Sequence, residues 1–214
     1  MGCCSTPSCG TGRFFSHMAR RYRRRYLKNG LEKSQTHLVE GIQRAGLNGA
    51  SLLEIGSGVG YLHQMLLKQG AARAIGVDMS EKMLEEARTL AREQGLEARV
   101  EYRLGDFIAL AADIGEADIT LLDKVVCCYP DAPALVQRSL EKTRRVYALT
   151  YPRDRSITRV GVMLAGWALW LVRSNFRSYV HDPRMIEADI YAAGFRKQYE
   201  NQTFIWLTQV YVRS

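Results

Sequence analysis

From Ala50 onward the apolar positions fall in short runs, and each run is followed by a stretch in which apolar residues recur every three or four positions. The runs predict strands over residues 51–55, 73–77, 99–103, 119–122 and 145–150, and the periodic stretches predict helices over 61–68, 81–94 and 132–143. Repeated strand–helix units with short apolar strands imply a parallel sheet covered on both faces. Upstream, Phe14, Phe15, Met18, Tyr22 and Tyr26 are spaced for a helix over 13–28 that Asn29-Gly30 ends, and a second helix follows over 32–44. The rhythm breaks near the carboxyl end. A helix over 183–193 leads through Gly194 into two strand-like runs, 195–200 and 204–212, joined by Asn201-Gln202, which predicts an antiparallel hairpin added to the parallel sheet.

Composition narrows the picture. A chain of 214 residues with 47% hydrophobic content builds one sizeable core. Residues 1–11 are rich in Gly, Ser, Cys and Thr without periodicity and read as a flexible tail, with residues 12–46 as a helical cap and 47–214 as the main domain. The net charge of +8 favours anionic partners without choosing among them. The stretch from Val160 to Val172 has 13 residues, short of the roughly 20 needed to span a bilayer, so no transmembrane helix is expected. The five cysteines, grouped as Cys3, Cys4, Cys9 and the pair Cys127-Cys128, match neither a disulfide framework nor a metal-ligand spacing, so a reducing, cytoplasmic setting and no metal are expected.

The chemistry concentrates at strand ends. Leu52-Leu53-Glu54-Ile55-Gly56-Ser57-Gly58-Val59-Gly60 is a strand that ends in a glycine-rich turn and opens a helix, the place where α/β sheets hold nucleotides. A dinucleotide fingerprint needs its third glycine at position 61, where this chain has Tyr61. The spacing resembles instead the first motif of the class I S-adenosyl-L-methionine (SAM)-dependent methyltransferases. Asp78, in Gly76-Val77-Asp78-Met79, lies about 20 residues beyond the glycines, where an acid accepts hydrogen bonds from ribose hydroxyls. Gly105-Asp106-Phe107 resembles the family's adenine-binding turn, although an aspartate there also serves as a helix N-cap. Asp123 ends the fourth strand, where the family seats the methyl donor against its acceptor, and the Asp/Asn-Pro-Pro-aromatic signature of base methylation is absent. The resemblance implies a Rossmann-like, seven-stranded, mostly parallel sheet with a reversed last strand, helices on both faces and an N-terminal helical cap. It also implies SAM as cofactor, with Glu54, Gly56, Gly58, Gly60, Asp78, Met79, Asp106, Phe107 and Asp123 as the residues that bind it.

The acceptor is less defined. The stretch from Leu149-Thr150-Tyr151-Pro152-Arg153 through Trp167 and Trp170 to Arg177 resembles that of magnesium-protoporphyrin O-methyltransferases, which esterify a porphyrin propionate. The expected acceptor is a small apolar or aromatic molecule, with or without a carboxylate, touching Tyr22, Tyr129, Arg153 and Trp167. Arg153 is the expected partner of the carboxylate. A carboxylate needs no base; for a phenol or thiol the nearest bases are Asp123, Tyr129 and His17. Three alternatives stay open. Met1-Gly2-Cys3-Cys4-Ser5-Thr6 matches a short myristoylation pattern, which with the basic run 20–25 reads as a membrane-surface contact. The same basic run reads as RNA-directed. A nicotinamide-dependent reductase, or a SAM-fold protein without turnover, is the rival outside the transferases.

Overall fold

The computed structural model describes residues 12, 15–154, 179 and 181–214. The Cys3, Cys4 and Cys9 tail, Trp167 and Trp170, and the apolar stretch 160–172, singled out by the sequence, lie outside the described residues. Two helices, α1 (Ala19–Asn29) and α2 (Lys33–Arg44), precede an alternating series: β1 (Ser51–Ile55), α3 (Tyr61–Lys68), β2 (Arg73–Asp78), α4 (Glu81–Glu93), β3 (Val100–Leu104), α5 (Phe107–Leu110), β4 (Ala117–Asp123), α6 (Ala132–Glu141) and β5 (Thr143–Pro152). Helix α7 (Pro183–Ala192) then leads into β6 (Phe195–Gln202) and β7 (Trp206–Arg213). The strands form one seven-stranded sheet in the order β3-β2-β1-β4-β5-β7-β6. Every pairing is parallel except those of β7, which runs antiparallel to β5 on one side and β6 on the other. This is the Rossmann-like sheet with a reversed last strand.

The strands read as apolar runs because both faces of the sheet are covered. Successive side chains of a strand point to opposite faces. Leu53 and Leu122 join Leu135, Tyr147 and Tyr211 on one side, whereas Leu52 and Leu121 join Leu38, Ile42, Leu62 and Leu66 on the other. Helix starts follow local capping chemistry. Ser80 accepts from the Met83 amide at the start of α4, Asp131 from Ala134 at α6, and Asp182 from Arg184 at α7. Ser80→Ala is expected to lower stability by about 1 kcal/mol, read from urea unfolding, because it strips one of the orphan amides of α4. An unchanged unfolding midpoint would contradict the cap.

Several boundaries differ from the sequence expectation. Helix α1 begins at Ala19, after a turn at His17-Met18 that separates it from helical Phe15 and Ser16, rather than running unbroken from residue 13. Asn201 and Gln202 are not the hairpin turn; they pair with Thr208 and Leu207, and the turn falls at residues 203–205, closed by Thr203 N–H to Trp206 C=O at 2.8 Å. β5 extends to Pro152 because β7 pairs with it from Val146 to Pro152, so polar Thr150 is held in the sheet. Among the described residues no helix is long and apolar enough to cross a membrane.

Candidate active site

The carboxyl ends of β1, β2 and β4 meet under the two amino-terminal helices. β1 and β2 are neighbours, and β4 lies on the other side of β1. The turn after β1 needs its glycines for two reasons. Gly56 has φ of 67°, and a Cβ there would lie 2.5 Å from Val125 Cγ2. Gly58 has φ of 53° and open space around the missing Cβ, so a ligand can approach the turn closely there. The turn is held from below by Asp78. One carboxylate oxygen accepts from Gly58 N–H and the other from Ser80 N–H, each at 2.8 Å. Burial pushes the Asp78 carboxyl up to about 6, against the downward pull of those amides. Each of its oxygens keeps a further lone pair for a ligand hydroxyl.

Glu54 is buried beside this turn. Its Oε2 meets His63 Nδ1 at 2.5 Å, and His63 Nε2 lies 3.1 Å from the Tyr102 hydroxyl, which Gln64 also reaches at 2.9 Å. Burial raises the Glu54 carboxyl, with the His63 hydrogen bond opposing. His63 therefore fixes the Glu54 rotamer from the core side.

The roof comes from α1 and α2. Gln35 closes the start of α2 by accepting the Glu32 amide at 3.0 Å, and its Nε2 donates to Tyr61 Oη at 2.7 Å and to Asp123 Oδ2 at 2.8 Å. Tyr26 stacks on Tyr61 with ring centroids 4.8 Å apart. Glu32 takes Arg25 on one oxygen at 2.9 Å and Lys124 on the other at 2.6 Å. Lys124 sits over the Trp206 ring at 5.1 Å and carries φ of 61°, unusual for a residue with a side chain. Burial raises the Asp123 carboxyl, with the Lys124 charge opposing.

These elements enclose a cavity of about 490 Å³, within the range of roughly 300–1,000 Å³ typical of small-molecule sites. Of the expected residues, Glu54, Gly56, Gly58, Asp78, Met79, Phe107, Asp123, Tyr22 and Tyr129 line it. Gly60 does not; its missing Cβ is packed by His63, Gln64 and Tyr102, so it serves helix packing. Asp106 is also outside the lining and acts as the N-cap of α5, accepting Ile108 N–H at 3.0 Å and Tyr129 O–H at 2.7 Å. Arg153 is not among the described lining residues. Its amide pairs with Ile205 C=O and its guanidinium donates to Thr203 C=O at 3.2 Å, so the hairpin turn holds it away from the cavity wall. His17 is exposed and lines nothing here. Sequence reasoning missed Gln35, Ser57, Tyr61, Lys124 and Trp206, all of which face the cavity.

Residues 52–148 match the family model described as a methyltransferase domain. Residues 52–148 are thus a methyltransferase domain. The magnesium protoporphyrin IX methyltransferase of Synechocystis PCC 6803, solved with bound S-adenosylhomocysteine (SAH), superposes with a TM-score of 0.74 at 22% identity over 95% of this chain and 98% of that one. A ubiquinone biosynthesis O-methyltransferase of Leptothrix cholodnii is 35% identical over 137 residues, 62% of this chain and 57% of that protein. A ribosomal protein L11 methyltransferase of Yersinia pseudotuberculosis is 41% identical over 75 residues, 34% of this chain and 26% of that protein. The chain thus spans about a quarter of the one curated relative and little more than half of the other. The cavity itself fits SAM. Ser57 Oγ and Asp123 Oδ1 are buried in its wall without a hydrogen-bond partner, and such atoms call for a polar ligand beside an otherwise apolar lining.

Proposed function

We propose that this methyltransferase moves the methyl group of SAM to a small acceptor with an apolar or aromatic body and an anionic group. The observation that supports it is the make-up of the cavity wall. The glycine turn, Glu54, Asp78 and Ser57 form a polar end suited to ribose and amino acid, with Phe107 and Met79 suited to flank the adenine. Tyr22, Tyr129, Trp206 and Val125 form an apolar remainder, with Arg25 and Lys124 as its cations. SAM, when bound, supplies an electrophilic methyl on a sulfonium, so alignment carries most of the catalysis. The chain's own residues align and exclude water: Asp78, held against the Gly58 turn, fixes the ribose end, and the roof from Tyr22 to Gln35 closes the opposite side. Of the three candidate bases, Asp123 alone faces the cavity with an unpaired oxygen, since the Tyr129 hydroxyl is committed to Asp106 and His17 lies outside. A phenol would hand its proton to Asp123, and a carboxylate would need no base.

Incubation with methyl-labelled SAM and a panel of phenolic acids, their uncharged analogues, a porphyrin carboxylate and a thiol tests this. Label is expected on aromatic acids in preference to their uncharged analogues. Label that appears only on protein or RNA would overturn the small-acceptor reading. Residues 12–46 act in this reading as a cap over the cofactor, and the free thiols Cys127 and Cys128 favour a reducing, cytoplasmic setting.

Asp78 also makes cofactor binding pH-dependent. The group is raised to about 6 without ligand, so it holds a proton as pH falls below that value, and ribose hydroxyls then lose an acceptor. Lowering pH from 7 to 5 is expected to weaken SAH binding by about tenfold through this group alone. Asp78→Asn should bind more weakly at pH 7 and show a flatter profile. Folding has the opposite sign: the raised carboxyl stabilises the ligand-free fold below about pH 4, and that contribution is lost as pH rises to about 6.

A further inference from the structure

We propose that Cys127 and Cys128 form a dithiol site on the acceptor side of the cavity that captures a trivalent arsenical. The acceptor-side placement rests on the function proposed above. Both cysteines line the cavity, both are free, and their sulfurs lie 3.7 Å apart. They belong to a single 3₁₀ turn, Val126–Cys128, directly after β4. Neighbouring side chains on such a turn diverge by default. Here they converge because both thiols donate to the same acceptor, Lys124 C=O, at 3.3 Å from Cys127 and 3.6 Å from Cys128. The turn is anchored by Cys128 N–H to Val125 C=O at 2.8 Å and by Tyr179 N–H to Cys127 C=O at 2.7 Å, so the pair is held rather than free to splay.

The chemistry of the pair separates three uses. A catalytic nucleophile needs a thiolate, but the hydrogen bond with Cys128 and burial both push the Cys127 thiol up, which keeps it protonated at neutral pH. A structural zinc needs about four ligands, and among the described residues no group of three or more His, Cys, Asp or Glu side chains is placed to hold a metal ion. An arsenic(III) centre that already carries one carbon substituent needs only two sulfurs. With phenylarsine oxide, each sulfur forms one S–As bond, the As=O bond breaks, and the oxygen leaves as one water carrying both thiol protons. The phenyl group that arsenic retains then projects into the cavity among Tyr129, Val125 and Leu135, where the acceptor would stand.

The test uses the full chain with Cys3, Cys4 and Cys9 changed to serine, so that the remaining thiols are the pair. Phenylarsine oxide should add once per chain by intact mass, be removed by 2,3-dimercaptopropanol and resist excess 2-mercaptoethanol. Cys127→Ser and Cys128→Ser should each weaken capture by roughly 100-fold or more, because one-point attachment loses the gain in effective concentration. Circular dichroism and SAH titration of each variant show whether it is folded. SAH should bind the arsenical adduct as tightly as the unmodified chain. Capture that survives in either serine variant, or no adduct at equimolar reagent, would overturn the dithiol site. An adduct that cannot bind SAH would overturn its acceptor-side placement. Failure of the unmodified chain to bind SAH would instead overturn the functional reading and leave the dithiol chemistry standing.

Discussion

Replacing Asp78 with alanine is expected to weaken SAH binding by about 1.5–3 kcal/mol, roughly ten- to a hundredfold, as measured by isothermal titration at pH 7. The side chain is half-buried at the end of β2, and it serves two masters. It accepts the Gly58 and Ser80 amides at 2.8 Å each, which shapes the glycine turn, and it keeps lone pairs for the ribose. Alanine removes both services. Asp78→Asn separates them, because the amide oxygen can still accept one backbone N–H while the charge on the second oxygen is gone. The asparagine variant should therefore fall between wild type and alanine in affinity and stay close to wild type in thermal stability. Equal SAH affinity in wild type and a folded Asp78→Ala variant would remove the assignment of β2's end to the cofactor.

Gly56→Val should be the most damaging single change in the turn, and it should act on folding before binding. A β-branched residue at φ of 67° costs about 1–2 kcal/mol in backbone strain, and overpacking a buried site costs about 1–3 kcal/mol more. The overpacking is specific: the new Cβ would lie 2.5 Å from Val125 Cγ2, on the strand-end segment that also carries Asp123. Together they predict a loss of about 3 kcal/mol, which for a chain of this size lowers Tm by roughly 6–12 °C. Gly58→Val is expected to differ in kind. No atom lies within 4 Å of its missing Cβ, so the fold suffers only the backbone strain, while the side chain occupies space the ligand needs. A Gly56→Val protein with wild-type Tm would show that the turn is not as tightly packed as described.

How much of this was legible in the sequence depends on whether a residue's role is set locally or across the fold. The strand, the glycine spacing and Asp78 were legible because a tight turn at a parallel strand's end constrains residue type within a few positions. Asp106 was ambiguous for the same local reason: an aspartate before Phe107 caps α5 whether or not a ligand is near, and the cap is what the structure displays. Gln35 gave no signal. It is one polar residue in an amphipathic helix, and its meaning comes from Asp123, 88 positions away. Lys124 was hidden likewise, since its left-handed backbone is imposed by the chain's turn after β4 and not by its residue type. The surroundings of Arg153 are likewise set across the fold. Its neighbours in sequence suggested an anion site, but β7 pairs with β5 to its very end, and the hairpin turn at Thr203–Ile205 takes up both its amide and its guanidinium. The cations at the cavity are Arg25 and Lys124, drawn from segments about 100 residues apart and joined through Glu32.

The central claim is that the glycine turn, Asp78 and the roof around Gln35 form a site for SAM and not for a dinucleotide. Isothermal titration of the full chain with SAH and, separately, with NADH tests it most directly. SAH should bind with one site per chain and NADH should give no heat of binding, because Tyr61 and the packed Gly60 leave the dinucleotide glycine pattern incomplete. Saturable binding of NADH with none of SAH would contradict the account.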